Sequence, residues 1–324
     1  MLTNEEQELR KRTEQAVSAY LFDAYKIEGN VSTVVKGANW TLAVNDGAQV
    51  FAYVRLYRTS GRSPVDVASE LTVLRAVQAT AALDVSRPFE DHLRRASSER
   101  ELPDGTRRLI AVFARAAGRE MAATTADFRR VGTALADLHR QSALAGLAPQ
   151  REILGSGTTD LETIAMIADR SAAAAAAISR AMGDLERQGA NEPIGPAGFC
   201  HGDVRPANLR IDGERVSFFD FDDCGTGPQW LDVAAMALWL EVFDYDDPSA
   251  LWRAFLGGYG LAGDERQSLF IRWLVARHQL RLVRFLFDYC ELDAALWEYG
   301  LNRASMVIGN AARDQLRALS RLSG

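Results

Sequence analysis

Lysine is almost missing from this chain. Of its 37 basic residues only Lys11, Lys26 and Lys36 carry an ammonium group, and the others are arginine. Cysteine is scarce too. Cys200, Cys224 and Cys290 stand far apart and in odd number, which argues against a disulfide framework or a zinc-type pair and fits a reducing compartment, the cytoplasm. No apolar run reaches the length of a membrane span, since the alanine run Ala172–Ala177 is short and flanked by Arg170 and Arg180. The opening residues, MLTNEEQELRKRTEQ, are polar and charged and do not read as a signal peptide. Positive charge is not in excess: the formal net charge is -6. That argues against a nucleic-acid partner, which calls for a basic patch. An acidic balance is compatible with a cationic substrate.

What is present is an ordinary globular composition, 48% hydrophobic and 25% charged over 324 residues. That is long enough for two lobes with sizeable cores. Residues 5–25 read as a helix with apolar Leu9, Val17 and Leu21 among charges. Such a helix packs on the neighbouring sheet or mediates a dimer contact. Residues 31–57 then read as three short strands, with turns at Gly37-Ala38-Asn39 and Asn45-Asp46-Gly47. A helix follows, with Ser63 as N-cap, Pro64 in the first turn, Asp66 completing a capping box and Val67, Leu71 and Leu74 as its apolar stripe. Glu70 lies close to that stripe. Residues 94–104 are polar, end in Pro-Asp-Gly and read as a loop or hairpin turn. Leu109–Phe113 reads as a buried strand, and Ala114–Gly118 as a small-residue connector.

Helices dominate from residue 124 onward. Thr124 with Asp127 predicts the cap of one, and Thr159 with Glu162 the cap of a long alanine-rich one. Residues 189–198 read as a loop and 199–223 as a short loop-and-strand insert. Helices near 229–243, 249–258, 264–288 and 291–320 close the chain. The expected fold class is therefore α+β with segregated lobes. The expected domains are an N-terminal helix (1–27), a sheet lobe (28–117) and a helical lobe (118–324).

The chemistry concentrates in His201-Gly202-Asp203-Val204-Arg205-Pro206-Ala207-Asn208 and, after a hairpin, Asp220-Phe221-Asp222-Asp223. Phosphoryl transfer needs an oriented hydroxyl and neutralised phosphate charge. A carboxylate can orient and deprotonate the hydroxyl, and hard oxygen ligands can hold Mg²⁺ against the phosphates. In kinases an Asp is followed by an Asn five positions later, and a second Asp follows a hairpin. Asp203, Asn208 and Asp220 reproduce that spacing. Singly, an Asp or Asn in a turn is a turn former; the joint pattern is what points to a site.

These motifs resemble those of the aminoglycoside phosphotransferase and choline kinase superfamily, near type II homoserine kinases and bacterial stress-response kinases. Phe51–Arg58, Phe128–His139, the Gly225–Pro228 stretch with Asp232, and Phe255–Tyr259 are similar to further segments of that superfamily. The resemblance implies a bilobal protein-kinase-like fold that uses ATP and Mg²⁺. It makes Asp203 the catalytic base and Asn208 and Asp220 the metal ligands. His201 becomes a structural member of the loop, Asp222 an assistant to metal or substrate, and Asp232 an anchor of the loop. Arg55 falls where such kinases place a lysine, and Glu70 where its helix-C partner stands. Lys36 and Gly37 sit at the turn that covers the phosphates, where one glycine replaces the usual glycine-rich loop.

Three readings follow. The first is a kinase for a small-molecule hydroxyl substrate such as an amino alcohol, a homoserine-like amino acid, a sugar or an aminoglycoside, acting as monomer or homodimer. The second is a protein Ser/Thr kinase of the stress-response type. The third is a pseudokinase weakened by Arg55, unless Arg55 serves as the lysine does or Lys36 supplies the ammonium. His139 reads as a packing residue, the cysteines as inert core, and Asp244-Tyr245-Asp246-Asp247 as either a solvated turn or part of a cationic-substrate pocket.

Overall fold

A tight reversal at Asn45-Asp46-Gly47 starts the sheet. Gly47 takes a φ of 94°, and Asp46 Oδ1 accepts the N–H groups of Ala48 and Gln49 at 3.0 Å each. The computed structural model describes residues 3–149, 153 and 157–319. The chain divides into two compact units, Met1–Val77 with Val85–Ala117, and Gln78–Asp84 with Gly118–Gly324.

The first unit holds α1 (Asn4–Tyr25), β1 (Asn30–Lys36), β2 (Trp40–Asn45), β3 (Val50–Leu56) and α2 (Pro64–Ala76). A short β4 (Leu83–Val85) comes next, then β5 (Ser97–Glu101) and β6 (Arg107–Ala114). The antiparallel sheet runs in the order β1-β2-β3-β6-β5. Helix α1 covers this sheet: Val17, Tyr20, Leu21 and Ala24 share one buried cluster with Trp40, Leu42, Val54 and Ile110. Removing each such large side chain from water contributes roughly 1.5–3 kcal/mol. Thr3 and Glu6 form a capping box on α1, and Ser63 and Asp66 form one on α2.

Residues 94–104 depart from expectation. Ser97–Glu101 is a strand, and only the following Pro-Asp-Gly is a turn. β5 is an edge strand, so polar and charged side chains keep its free side solvated. Glu99 binds Arg107 across the pair at 2.7 Å, while Ser98 is buried and shares a 2.5 Å hydrogen bond with the Tyr20 hydroxyl.

The second unit holds α3 (Thr125–His139), α4 (Gly157–Arg170), α5 (Ala172–Arg187), β7 (Ala197–Cys200), β8 (Leu209–Asp212), β9 (Arg215–Phe218) and β10 (Gly225–Pro228). Four helices follow: α6 (Trp230–Val242), α7 (Pro248–Tyr259), α8 (Glu265–Tyr289) and α9 (Ala294–Ala312). β7 pairs with β10, and β4, β9 and β8 form a three-stranded sheet. The expected long alanine-rich helix is two helices. The break falls at Ser171, whose side chain accepts the Ala174 N–H and caps α5, while Thr159 and Glu162 lie inside α4, which begins at Gly157. Thr124 caps α3 as expected. α3 and α7 touch backbone to backbone: a Cβ on Gly132 would lie 2.1 Å from the Phe255 carbonyl oxygen, and one on Gly258 2.1 Å from that of Arg129. Among the described residues no helix is long and apolar enough to cross a membrane.

Candidate active site

The sequence-predicted residues gather in two groups, one in each unit. In the second unit β8 and β9 form a hairpin with Leu209 opposite Phe218. One step further the Asn208 carbonyl accepts the Phe219 N–H at 3.2 Å. This register sets Asn208 at the mouth of the hairpin, with Asp220 just past the end of β9. Asp220 takes left-handed backbone angles, φ 66° and ψ 61°. For a non-glycine residue that conformation costs on the order of 1 kcal/mol, and such strain clusters at functional sites.

Asp232, in the first turn of α6, pins the loop that carries Asp203. It is fully buried, and its Oδ1 accepts the Gly202 N–H at 2.8 Å. Its Oδ2 accepts the His201 N–H at 2.7 Å and the His139 Nε2–H at 3.0 Å. Burial alone would raise this carboxyl; the His139 hydrogen bond, the nearby imidazoles and the backbone N–H outweigh it and hold the pKa below the usual range. Gly202 adopts φ 88°, and a Cβ there would lie 2.3 Å from the Asp223 carbonyl oxygen. His201 is buried, which lowers its pKa and keeps the ring neutral. Its Nδ1 accepts the Asp203 N–H at 3.2 Å, so the proton sits on Nε2 and is donated to the Phe219 carbonyl at 3.0 Å.

Asn208 Nδ2 donates to the Asp203 Oδ2 at 2.9 Å and to its carbonyl at 3.0 Å. That orients the amide, with Oδ1 as its acceptor end. Arg205 Nε lies 3.0 Å from the same Asp203 oxygen. Asp203 Oδ1 is buried with no hydrogen-bond partner among the described residues. Burial pushes the Asp203 carboxyl up to about 6, opposed by Arg205 and reinforced by Asp223 and Asp220. Asp222 is buried. Asp223 pairs with Arg281 of α8 at 2.9 Å.

No cluster of three or more His, Cys, Asp or Glu side chains suited to a metal exists among the described residues. Asn208 and Asp220 offer two hard oxygen donors on adjoining ends of one hairpin. That set fits a cation such as Mg²⁺, which takes one or two protein ligands and completes its shell with phosphates and water.

In the first unit Arg55 Nη1 meets Glu70 Oε1 at 3.0 Å, and the Tyr57 hydroxyl donates to Glu70 Oε2 at 3.0 Å. Glu70 is 2% exposed, so it is not a solvated helix glutamate. Arg55 also stacks on the Phe113 ring, 5.3 Å from its centroid. Lys36 is exposed at the β1–β2 turn, with its Nζ 4.7 Å over the Trp40 ring. The Gly37 N–H there is taken by the Asn39 carbonyl at 3.0 Å.

Sequence reading missed two partners. His139 is not mere packing: it bridges Asp232 and the Tyr259 hydroxyl, which donates to Nδ1 at 2.7 Å. Asp223 was passed over within its acidic run. The Leu-His at the end of α3 was the available sign of the former; nothing local marks the latter, since Arg281 is 58 residues away in the chain. The Asp244–Asp247 segment is a solvated turn, with Asp247 capping α7 and exposed Asp244 beside Arg317. Cys200 and Cys224 are buried. A concavity of about 470 Å³ lined by Ala82, Arg129, Arg130, Thr133 and Glu214 includes none of the predicted site residues.

Residues 36–270 match the phosphotransferase enzyme family. No curated protein matches the sequence. Among solved structures, an amicoumacin kinase in complex with AMP-PNP, Ca²⁺ and Ami is 17% identical with a TM-score of 0.71, covering 98% of each chain. A microcompartment-associated aminopropanol kinase is 20% identical with a TM-score of 0.71, over 95% of this chain and 100% of the other. A spectinomycin phosphotransferase in complex with ADP and spectinomycin is 13% identical with a TM-score of 0.65, over 94% and 98%. At these identities the likeness is one of fold, the kinase-like arrangement of an antiparallel sheet followed by helices.

Proposed function

The chain belongs to the phosphotransferase enzyme family, and from that premise we propose that it moves the γ-phosphoryl group of ATP, with Mg²⁺, to the hydroxyl of a small molecule. The observation that carries this reading is the Asn208–Asp203 hydrogen bond of 2.9 Å on a loop pinned by buried Asp232. Asp203 is the base. Its free Oδ1 takes the acceptor's O–H, orients the oxygen and receives the proton as the new P–O bond forms. The bond to the β-phosphate oxygen breaks and ADP leaves. A carboxyl near 6 suits this task at neutral pH. Asn208 and Asp220 hold the cation, which neutralises phosphate charge when bound. Asp222 supports that end of the site. Arg55, braced by Glu70 and Tyr57, binds the phosphate tail in place of a lysine, and Lys36 with Gly37 covers it.

The Arg55–Glu70 pair favours this reading over a pseudokinase, because a guanidinium held by a buried carboxylate is a preorganised phosphate donor. Similar folds carrying small-molecule ligands, and one aminopropanol kinase among them, favour a small-molecule acceptor over a protein. The test is the melting temperature with ATP, ADP or GTP, each with and without Mg²⁺, since a ligand that binds only the native state raises it. A magnesium-dependent rise is expected; no rise at millimolar nucleotide sinks the proposal.

A further inference from the structure

Beside Asp203 the second unit carries an unusual surplus of donors. Trp239 of α6 lies under two guanidinium groups, Arg205 at 5.6 Å and Arg303 of α9 at 5.9 Å from the ring centroid. Arg281 reaches the same loop from α8 through its 2.9 Å contact with Asp223. Four buried donor atoms here have no hydrogen-bond partner among the described residues: Trp239 Nε1, Arg205 Nε, Arg303 Nε and Arg281 Nη1. Arg205 Nε touches Asp203 as a charge contact without hydrogen-bond alignment. Among the described residues Arg303 makes no ion pair and no hydrogen bond, and its contact of this kind is the Trp239 ring.

Buried polar atoms without partners demand an explanation, and Arg303, unlike Arg205 and Arg281, has no carboxylate partner among the described residues. These orphan atoms define the missing chemistry: four N–H donors, with the unpartnered ring nitrogens of buried His278 nearby. Next to them the one orphan oxygen, Asp203 Oδ1, calls for an O–H. A ligand with a hydroxyl at one end and an anionic oxygen group at the other satisfies both. Resting on the proposed phosphotransfer, we infer that the acceptor is a hydroxylated acid, its carboxylate or phosphate gripped by Arg205 and Arg303 on Trp239 and its hydroxyl presented to Asp203. The site therefore runs against the cationic substrate that the whole-chain charge allowed. Charged hydrogen bonds of this kind are the strong ones, and arginine forks match carboxylate and phosphate geometry.

The test is calorimetric titration of the Mg²⁺·AMP-PNP-loaded protein with matched pairs. Homoserine against 3-aminopropan-1-ol and 4-hydroxybutyrate against butane-1,4-diol differ by a carboxylate; glycerol 3-phosphate against glycerol differs by a phosphate. The acid of at least one pair is expected to bind about 10-fold tighter or more than its partner without the acid group, and the pair that does so tells carboxylate from phosphate. In Arg303→Leu that preference is expected to collapse, while the nucleotide-dependent rise in melting temperature stays at the wild-type value. Equal or better binding of the neutral or amino partner, no heat from any acid, or an unchanged preference in Arg303→Leu each overturns the inference. A missing nucleotide response in the wild-type protein instead overturns the phosphotransferase reading, so the two failures are distinguishable.

Discussion

Asp203 and Asp232 are both aspartates of one loop assembly, and their surroundings give them opposite tasks. Asp203 takes one hydrogen bond and one charge contact on one oxygen and keeps the other open; Asp232 spends both oxygens on three donors. Asp203→Ala is expected to lower the turnover of an accepted substrate by about 10²-fold or more while the nucleotide-dependent melting shift survives, which steady-state kinetics and thermal denaturation check side by side. Asp232→Ala leaves two buried backbone N–H groups without acceptors. At ~1–3 kcal/mol each the loss is expected to reach about 3 kcal/mol, read as a lower urea midpoint at unchanged slope. For Arg55 the two replacements separate charge from shape. Arg55→Lys is expected to retain nucleotide affinity and Arg55→Ala to lose about 10-fold or more, measured by ADP titration.

The motif residues of the second unit were legible because spacing along the chain carried them: an Asp, an Asn five positions later and an Asp after a hairpin are local facts. Hidden from the sequence were contacts made at long range. The Arg281–Asp223 pair and the His139–Asp232–Tyr259 relay join elements far apart, and no periodicity announces them. Edge strand β5 escaped for another reason: its polar side chains describe its solvent neighbours, not its backbone pairing. Helix caps were readable at Ser63 and Thr124 and misleading at Thr159, where a cap-like spacing falls within a helix begun two residues earlier.

At the same scale, the glycines of Phe255–Tyr259 separate into two kinds. Gly258 sits where α7 meets the α3 backbone, whereas a Cβ on Gly257 would find nothing closer than 3.7 Å, at an Arg129 side chain. Gly258→Ala is expected to destabilise by about 3 kcal/mol through forced separation of the helices. Gly257→Ala is expected to stabilise by ~0.5–1 kcal/mol, since alanine suits a helix interior better. Paired denaturant curves decide the matter, and equal effects would refute the close crossing.

For the whole molecule the buried carboxylates set the acid limit. Asp127 is held low chiefly by the hydrogen bond from Arg119, at 2.7 and 2.9 Å, and Asp232 by its His139 latch. Both folded-state pKa values lie below the unfolded value of about 3.9. The stability they contribute is therefore fully present above that value and lost as pH falls through the lower folded values. The part of the stability that Asp127 and Asp232 contribute is expected to hold down to about pH 5 and to be lost below about 4, so that the fall of the urea midpoint below about pH 4 is shallower in Asp127→Asn than in the wild-type protein.

The near absence of lysine has a practical side. Nucleotide reagents that acylate an amine beside the phosphates depend on a side chain that can shed its proton. A guanidinium does not shed its proton in proteins, so with Arg55 in the lysine's place such a reagent finds no amine on β3 of this chain. Lys36, lying on Trp40 at the β1–β2 turn, is the one amine near the expected phosphate path. A survey of kinases built on lysine capture would pass over this protein, or tag it at that turn, and the position of the tag would itself report where the phosphates lie.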